Sequence, residues 1–211
     1  MDLGWGAAMI RLYGTALSRA SRSLLALEEL SLAYEHVPLV PRPGTEDREI
    51  LMRLNPNGHI PVLDDGGLIV WESMAINLYL AGKHGGPLWP VGAANRAAIL
   101  QWSLWAQTEM DRRDWDQARR SGDAGRIASA RGERVATLRV LDAALADRPY
   151  LLGEAFTLAD LNVASTLSQP NEGGLIDWER LDPADHGLAA LAGWLARCVT
   201  RPSWTRVRAL P

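Results

Sequence analysis

The residues best suited to chemistry in this 211-residue chain lie between positions 55 and 73. Glu72 and Ser73 place a carboxylate and a hydroxyl where apolar strand residues give way to a helical pattern. At a helix N-terminus, these groups and the free backbone N–H groups suit the charged head of a zwitterionic peptide. The pattern therefore indicates a peptide-binding site, although the same residue types also fit a plain hairpin that leads into a capped helix.

The turn Asn-Pro-Asn-Gly at 55–58 leads into a strand that begins with Pro61. Pro61 has no backbone N–H, so it belongs at the first residue of a strand or on an edge strand. An Ile-Pro bond carries a cis penalty of only about 0.5–1 kcal/mol, and we expect the Ile60–Pro61 bond to be cis. The backbone of Ile60 would then pair with an extended ligand, as in strand addition.

This segment strongly resembles the hallmark of the cytosolic glutathione transferases, which is Asn-Pro-x-Gly-x-(Ile/Val)-Pro-x-Leu followed by Glu-Ser or Gln-Ser and then Ile. The matching residues are Asn55, Pro56, Gly58, Ile60, Pro61, Leu63, Glu72, Ser73 and Ile76. The resemblance covers most of the chain, because segments 12–19, 26–30, 150–160 and 201–204 are also similar to family signatures at family-like separations.

The resemblance implies that glutathione is the co-substrate and that His59, Ile60, Glu72 and Ser73 bind it. His59 stands where the family usually has lysine or glutamine that reaches the glycine carboxylate of glutathione. Histidine is shorter and only partly charged near neutral pH, so an exposed turn histidine is the alternative for this position.

The reaction implied is attack of the glutathione thiolate on a hydrophobic, electrophilic small molecule, by addition or displacement, in detoxification. One alternative is a non-catalytic interaction module with the same fold, and another is a glutathione-dependent isomerase or peroxidase. The presence of Glu72, Ser73 and a hydroxyl in the first loop favours the transferase, because non-catalytic relatives often lose the peptide-binding residues.

The thiol of glutathione must lose its proton to act as a nucleophile. A thiol with a pKa of about 8.5 is only a few per cent ionised at pH 7, and lowering its pKa by about 2 corresponds to ~2.7 kcal/mol. A hydroxyl that donates to the thiolate contributes about 1.5–3 kcal/mol, and a helix N-terminus adds about 0.3–1 kcal/mol. One hydroxyl at a helix start is therefore sufficient.

Four residues of the first strand and loop could supply that hydroxyl. Ser18 lies just before the predicted helix, where the serine-type classes of the family place their activating serine, and we predict that it is catalytic. Ser21 and Thr15 are alternatives, and Tyr13 stands where other classes use a tyrosine, although it also fits the alternation of the strand. No cysteine occurs in this loop, which excludes the mixed-disulfide chemistry of the cysteine-type classes.

Two patterns divide the chain. Residues 9–84 alternate strand and helix, which predicts an α/β domain. The resemblance implies that this domain is thioredoxin-like and binds glutathione. Residues 85–92 form a Gly/Pro-rich linker, and residues 93–211 show the periodicity of an all-α helical-bundle domain. Residues 1–8 are a leader that we expect to be disordered.

Strands are predicted at 10–13 and 33–40 and in the hairpin at 61–70. Helices are predicted at 19–30, 46–54, 72–83, 93–120 (as one helix or two) and 126–146, and from Thr157 and Asp182.

Composition limits the partners. The net charge of −3 comes without a basic cluster, so we expect no nucleic acid. No apolar run approaches the ~18 residues of a membrane span, so we expect no membrane insertion. The histidines show no metal-ligand spacing, so no metal is expected.

The assembly and location follow partly from the resemblance. It implies a homodimer, with the helix from Ala93 contributing to the interface. Trp102 and Trp105 belong either to the core or to the wall of the electrophile pocket. The one cysteine, Cys198, lies in an apolar helical pattern and permits no internal disulfide, which fits a buried thiol in a reducing cytoplasm.

Overall fold

Strands and helices alternate in the first part of the chain. The computed structural model describes residues 9–110, 114–168 and 187–211, so the expected leader at 1–8 lies outside the described residues. The strands are β1 (Ile10–Tyr13), β2 (Tyr34–Val37), β3 (Val62–Asp65) and β4 (Leu68–Trp71). The helices among them are α1 (Ala20–Glu29), α2 (Glu46–Leu54) and α3 (Ser73–His84).

The four strands form one mixed sheet in the order β2-β1-β3-β4. β1 is parallel to β2 and antiparallel to β3, and β3 and β4 form a hairpin. Tyr13 lies opposite Val62, and Val62 lies opposite Trp71. The end of β1, the start of β3 and the end of β4 therefore meet at one end of the sheet.

β2 is shorter than the strand predicted at 33–40. The chain turns directly after Val37, because the Leu39 N–H donates to the Val37 carbonyl at 2.8 Å. The Val40 N–H then donates to the side chain of Asp47 at 2.9 Å instead of to a neighbouring strand. A carboxylate from α2 thus ends the strand earlier than the apolar pattern alone indicates.

The second part of the chain is built from helices. They are α4 (Ala93–Trp105), a π-helical turn (Ala106–Met110), α5 (Asp114–Ser121), α6 (Ala124–Ala144), α7 (Leu158–Leu167), α8 (Ala189–Val199) and α9 (Pro202–Arg208). The described residues of the segment predicted at 93–120 therefore belong to two α-helices and the π-helical turn. α6 begins two residues earlier than predicted, because the Asp123 side chain accepts from the Arg126 N–H at 2.7 Å as an N-cap. The helix predicted from Asp182 lies outside the described residues.

Among the described helices of this part, α7 is the most deeply buried, since all ten of its residues are buried. Its N-cap is Thr157, as predicted, and the Thr157 N–H and hydroxyl donate to Asp160 Oδ2 at 2.9 and 3.0 Å. The Leu151 N–H and the Trp194 indole N–H donate to Asp160 Oδ1 at 2.8 and 2.9 Å. Burial raises the pKa of Asp160, and the four hydrogen bonds oppose that effect by stabilising the carboxylate.

The two parts share one hydrophobic core, and α1 packs against α3, α7 and α9. Buried amides cross between the parts: Asn77 Nδ2 donates to Asn162 Oδ1, and Asn162 Nδ2 donates to Ser103 Oγ, both at 2.8 Å. The rings of Trp102 and Trp105 meet edge to face, with centroids 5.2 Å apart, and both pack against this core.

Candidate active site

Three segments with candidate site residues converge at one end of the sheet. They are the loop after β1, the turn that leads into β3, and the start of α3. Their neighbours Tyr13, Val62 and Trp71 lie side by side across β1, β3 and β4. The fold therefore brings the predicted loop hydroxyls, Ile60, and the Glu72–Ser73 pair to one edge.

The loop after β1 approaches the turn before β3 at Gly14. This residue has a φ of +125°, and a Cβ added to it would lie 2.9 Å from the Cβ atoms of both Ile60 and Ala20. The Gly14 N–H donates to the Val37 carbonyl at 2.9 Å, and His36 Nε2 lies 2.8 Å from the Gly14 carbonyl oxygen. Glycine is required here because the loop, the turn and the start of α1 leave no room for a side chain.

The turn at 55–59 is held by buried Asn55, of which only 2% is exposed. Its Oδ1 accepts from the Asn57 N–H and its Nδ2 donates to the His59 carbonyl, both at 3.0 Å. Arg48 of α2 adds a bond from Nη1 to the Gly58 carbonyl at 2.7 Å. These bonds fix the backbone that leads to Ile60, whereas the side chain of His59 is exposed.

Ile60 and Pro61 connect this turn to β3, and the peptide bond between them is cis, as predicted. Pro61 is buried and Ile60 is half-buried. No hydrogen bond joins the Ile60 N–H or C=O to another described residue. Both backbone groups are therefore able to pair with an extended ligand.

Glu72 connects β4 to α3 in a backbone conformation that few non-glycine residues adopt, with φ 74° and ψ 117°. Such residues cost about 1–3 kcal/mol and concentrate at functional sites, where the surrounding structure holds them. The exposed Glu72 side chain makes no capping hydrogen bond. Ser73, only 4% exposed, is the first residue of α3, and its carbonyl accepts a long bond of 3.5 Å from Ser23 Oγ of α1.

Ser18 lies half-buried in the loop just before α1. Its hydroxyl donates to the Thr15 carbonyl at 2.7 Å and accepts from the Ala20 N–H at 3.1 Å. A serine hydroxyl has one proton to donate. To donate a hydrogen bond to a thiolate, the Ser18 hydroxyl must therefore break its hydrogen bond to the Thr15 carbonyl. The hydrogen bond from the Ala20 N–H can persist, because it uses the oxygen of the hydroxyl and not its proton. Ala20 is the first residue of α1, so a backbone N–H at the start of this helix points at the Ser18 oxygen.

The other three candidates differ in their surroundings. Ser21 is only 3% exposed, whereas Ser18 is half-buried. Both hydroxyls donate to a loop carbonyl, that of Ser21 to Ser18 at 2.9 Å, so the difference between them lies in their exposure. Thr15 is half-buried and uses its carbonyl for the Ser18 N–H and hydroxyl. Tyr13 is half-buried within β1 between Val37 and Val62. This geometry favours Ser18 over Ser21, and Thr15 and Tyr13 stay alternatives.

Sequence reasoning did not find two polar residues that support this site, His36 and Arg48. They lie on β2 and α2 and contact the carbonyls of Gly14 and Gly58. Neither belongs to the motif around position 60, and only the packing of β2 and α2 brings them near it. In the sequence, nothing distinguishes His36 and Arg48 from polar residues on the protein surface.

The part of the chain that the structure describes contains no group of three or more His, Cys, Asp or Glu residues that could bind a metal ion. Among the same residues, no helix is long and apolar enough to cross a membrane. Cys198 is buried, as predicted, and burial raises the pKa of its thiol, which disfavours a reactive thiolate.

Two family models match this chain: "Glutathione S-transferase, N-terminal domain" over residues 8–82 and "Glutathione S-transferase, C-terminal domain" over residues 116–197. The glutathione S-transferase GstB of Escherichia coli is 30% identical over 217 residues, which cover 96% of this chain and 99% of GstB. The glutathione S-transferase hmp2 of Hypomyces subiculosus is 30% identical over 206 residues, which cover 89% of this chain and 96% of hmp2.

The solved structures that resemble this chain are also glutathione transferases. The theta class glutathione S-transferase from the citrus canker pathogen Xanthomonas axonopodis pv. citri, crystallised with glutathione bound, is 32% identical, with a TM-score of 0.76 and coverage of 94% of this chain and 96% of its own. A glutathione transferase family member from Pseudomonas fluorescens, with two glutathione bound, is 25% identical, with a TM-score of 0.81 and coverage of 99% and 96%.

The fold is a thioredoxin-like α/β domain followed by an all-helical domain, which is the fold of a glutathione transferase. The chain belongs to the glutathione S-transferase family and is an enzyme of that family.

Proposed function

We propose that this enzyme binds glutathione at the end of the sheet and transfers it to an electrophilic carbon of a hydrophobic small molecule. The observation that carries the proposal is the convergence of Ile60, Glu72 and the Ser18 loop at one end of the sheet. The same edge thus offers groups for the peptide backbone, for its charged head and for its thiol.

The peptide-binding part of the proposal uses four residues. The Ile60 N–H and C=O pair with the main chain of glutathione, because they have no hydrogen-bond partner among the described residues. Glu72 and Ser73 receive the charged amino-acid head at the start of α3. His59 faces the glycine carboxylate, and its exposed side chain leaves it free to reach a ligand. The two solved relatives with bound glutathione support this choice of ligand.

The chemical part of the proposal assigns thiol activation to Ser18. Its hydroxyl turns from the Thr15 carbonyl to the glutathione sulfur, and the thiol proton passes to solvent. The thiolate then attacks the electrophilic carbon, and a C–S bond forms. In a displacement the leaving group departs with the electron pair of its bond, and in an addition the adjacent atom takes up that pair and then a proton from solvent.

The structure also supports a symmetric homodimer as part of this proposal. Leu100 and Leu104, one turn apart on α4, are 42% and 62% exposed, and Trp71 of the edge strand β4 is 39% exposed. Large apolar side chains in such positions suit an interface between two copies. We place the linker between the two domains at residues 85–92, where the chain forms neither helix nor strand.

Two measurements on the purified protein test the proposal. Calorimetric titration with glutathione tests binding, and conjugation of glutathione to a panel of electrophiles that includes chlorodinitrobenzene tests transfer. Binding together with transfer is the expected result. Binding without transfer to any electrophile would indicate a non-catalytic interaction module, and absence of binding would contradict the proposal as a whole.

A further inference from the structure

A cavity of ≈ 70 Å³ lies between the loop after β1, α1, the end of α7, and α9 with the residues that follow it. Its volume is several times the ~10–15 Å³ that one water molecule requires on the same scale, so it admits part of a small organic molecule. Its apolar lining residues include Leu25, Trp204 and Leu210.

The cavity adjoins the candidate catalytic serine. Ala16 and Leu17, which line it, directly precede Ser18 in the chain. Ser21 also lines it, and the Ser21 hydroxyl donates to the Ser18 carbonyl at 2.9 Å. A molecule in this cavity therefore lies against the loop that carries Ser18.

The hydroxyls that line the cavity already bond within the protein. Besides Ser21, Ser165 Oγ donates to the Asn162 carbonyl at 3.2 Å, and Ser168 Oγ accepts from the Trp204 indole N–H at 3.1 Å. These three hydroxyls thus have partners without a ligand, and this part of the wall favours an apolar guest.

Arg208 is the one charged residue among those that line the cavity. The other two arginines of its segment form ion pairs, Arg201 with Glu29 and Arg206 with Glu28. Among the described residues no carboxylate lies within ion-pair distance of the exposed Arg208. Arg208 is therefore an exposed cation that borders a largely apolar cavity and has no described counter-charge.

We propose that this cavity receives the electrophilic substrate and that Arg208 selects acceptors that carry an anionic group, such as an aromatic carboxylate. The inference rests on the proposed function, because it names the substrate class for that reaction. The apolar wall holds the ring, and the guanidinium pairs with the carboxylate in the geometry that arginine favours. For a chloroarene, the thiolate sulfur forms the C–S bond and chloride leaves with the electron pair of the C–Cl bond.

The test compares two acceptors that differ only in the carboxylate: chlorodinitrobenzene and chlorodinitrobenzoate. Arg208→Gln removes the charge, Arg208→Lys keeps it, and Arg206→Gln removes a charge from the same helix at a residue that does not line the cavity. The kcat/KM for each acceptor is measured at low and at moderate salt. In parallel, calorimetry measures binding of the unreactive pair dinitrobenzene and dinitrobenzoate.

We expect Arg208→Gln to lower kcat/KM for the benzoate about 2–5-fold, which suits an exposed ion pair, and to change kcat/KM for the neutral acceptor less than about 2-fold. Arg208→Lys should keep part of the preference for the benzoate over the neutral acceptor, and Arg206→Gln should leave this preference unchanged. Added salt should weaken the preference in the unaltered enzyme. Binding of dinitrobenzoate should show the same pattern.

Equal effects of Arg208→Gln on both acceptors, or an equal loss in Arg206→Gln, would overturn the inference. Because dinitrobenzoate binding is measured without turnover, it tests the cavity even if conjugation fails. Loss of conjugation with both acceptors in the unaltered enzyme would contradict the proposed function instead.

Discussion

Gly14 and Ile60 approach so closely that a Cβ on Gly14 would lie 2.9 Å from the Cβ of Ile60. This contact sets the distance between the loop that carries Ser18 and the residue that we expect to pair with the peptide. Side-chain atoms at Gly14 would have to push the loop away from the turn, because Ala20 blocks the other direction at the same distance.

The first prediction is therefore that Gly14→Ala lowers both stability and glutathione affinity. We expect the free energy of unfolding to fall by about 2–4 kcal/mol, from overpacking together with an unfavourable φ. Gly44→Ala is a matched control, because Gly44 also has a positive φ, +77°, but has no atom within 4 Å of an added Cβ. Denaturant unfolding and calorimetry would detect the difference, and equal effects of the two substitutions would show that the close contact is unimportant.

The second prediction is that Glu72→Gln weakens glutathione binding without loss of stability. The loss of one charged hydrogen bond should raise the Kd about 10–100-fold. The free energy of unfolding should change little, because the Glu72 side chain is exposed and makes no capping bond. Glu46→Gln, at the start of α2, is the control: it should leave the Kd unchanged and lower the free energy of unfolding by no more than about 0.3–1 kcal/mol, the effect of one charge at a helix N-terminus. An unaltered Kd in Glu72→Gln, with the fold intact, would remove Glu72 from the site.

Local signals in the sequence were sufficient for several elements. α2 begins and ends where predicted, because Thr45 caps it with its side chain and the Asn-Pro turn ends it. α7 begins at the predicted cap for the same reason, since Thr157 and Asp160 are three residues apart. By contrast, the end of β2 depends on a hydrogen bond from Val40 to Asp47 of another element, which no local pattern indicates.

In the candidate site, too, some residues are identified by local sequence and others only by tertiary packing. Ile60, Glu72 and Ser73 could be found from the spacing of a single continuous segment. His36 and Arg48 could not, because they reach the site only through the packing of β2 and α2. The unusual φ of Glu72 was also hidden, since nothing in a Trp-Glu-Ser sequence requires a positive φ.

Glu29 provides a test in which pH is the variable. Arg201 donates from Nε and Nη2 to the two Glu29 oxygens at 2.8 and 2.6 Å, and Ser203 Oγ also donates to this carboxylate. Burial raises the pKa of Glu29, but the hydrogen bonds from Arg201 and Ser203 and the charge of Arg201 outweigh burial and hold it below the usual 4.5. The stability contributed by Glu29 is therefore present above about pH 4.5 and lost as pH falls through the lower pKa of the folded state.

The third prediction is that Glu29→Gln lowers the free energy of unfolding at pH 7 by about 1–3 kcal/mol. It should also reduce the loss of stability between pH 4.5 and more acidic solution, because the titrating group is gone. Glu35→Gln is the control, since Glu35 pairs with Arg11 and both side chains are 48% exposed; such a pair contributes at most about 1 kcal/mol. Urea unfolding at a series of pH values measures this, and an unchanged acid slope in Glu29→Gln would contradict the assignment.

The fourth prediction concerns assembly. Light scattering of the unaltered protein at micromolar concentration should give twice the 23.1 kDa of one chain. Leu104→Glu should shift the mass towards that of one chain, because it places a charge in the proposed apolar interface on α4. Val140→Glu is the control, since Val140 is also exposed, at 54%, but lies on α6. A mass of one chain for the unaltered protein would contradict the proposed dimer.

The fifth prediction is that the Ser18 hydroxyl ionises bound glutathione. If it supplies most of the ~2.7 kcal/mol required, Ser18→Ala should lower turnover at neutral pH about 10–100-fold. Glutathione affinity should change little, because Ile60, Glu72 and Ser73 bind other parts of the peptide. Higher pH should restore much of the rate, since solvent then removes the thiol proton.

The most direct measurement is the apparent pKa of the bound thiol, followed by ultraviolet thiolate absorbance in the glutathione complexes of the unaltered enzyme and of Ser18→Ala. Ser21→Ala, Thr15→Ala and Tyr13→Phe are the comparison variants, and pH–rate profiles with chlorodinitrobenzene accompany the titrations. We predict that Ser18→Ala alone raises this pKa, by roughly 1–2 pH units. An unchanged pKa in Ser18→Ala, with the rise found in one of the other three variants, would contradict this role of Ser18 and assign the activating hydroxyl to that other residue.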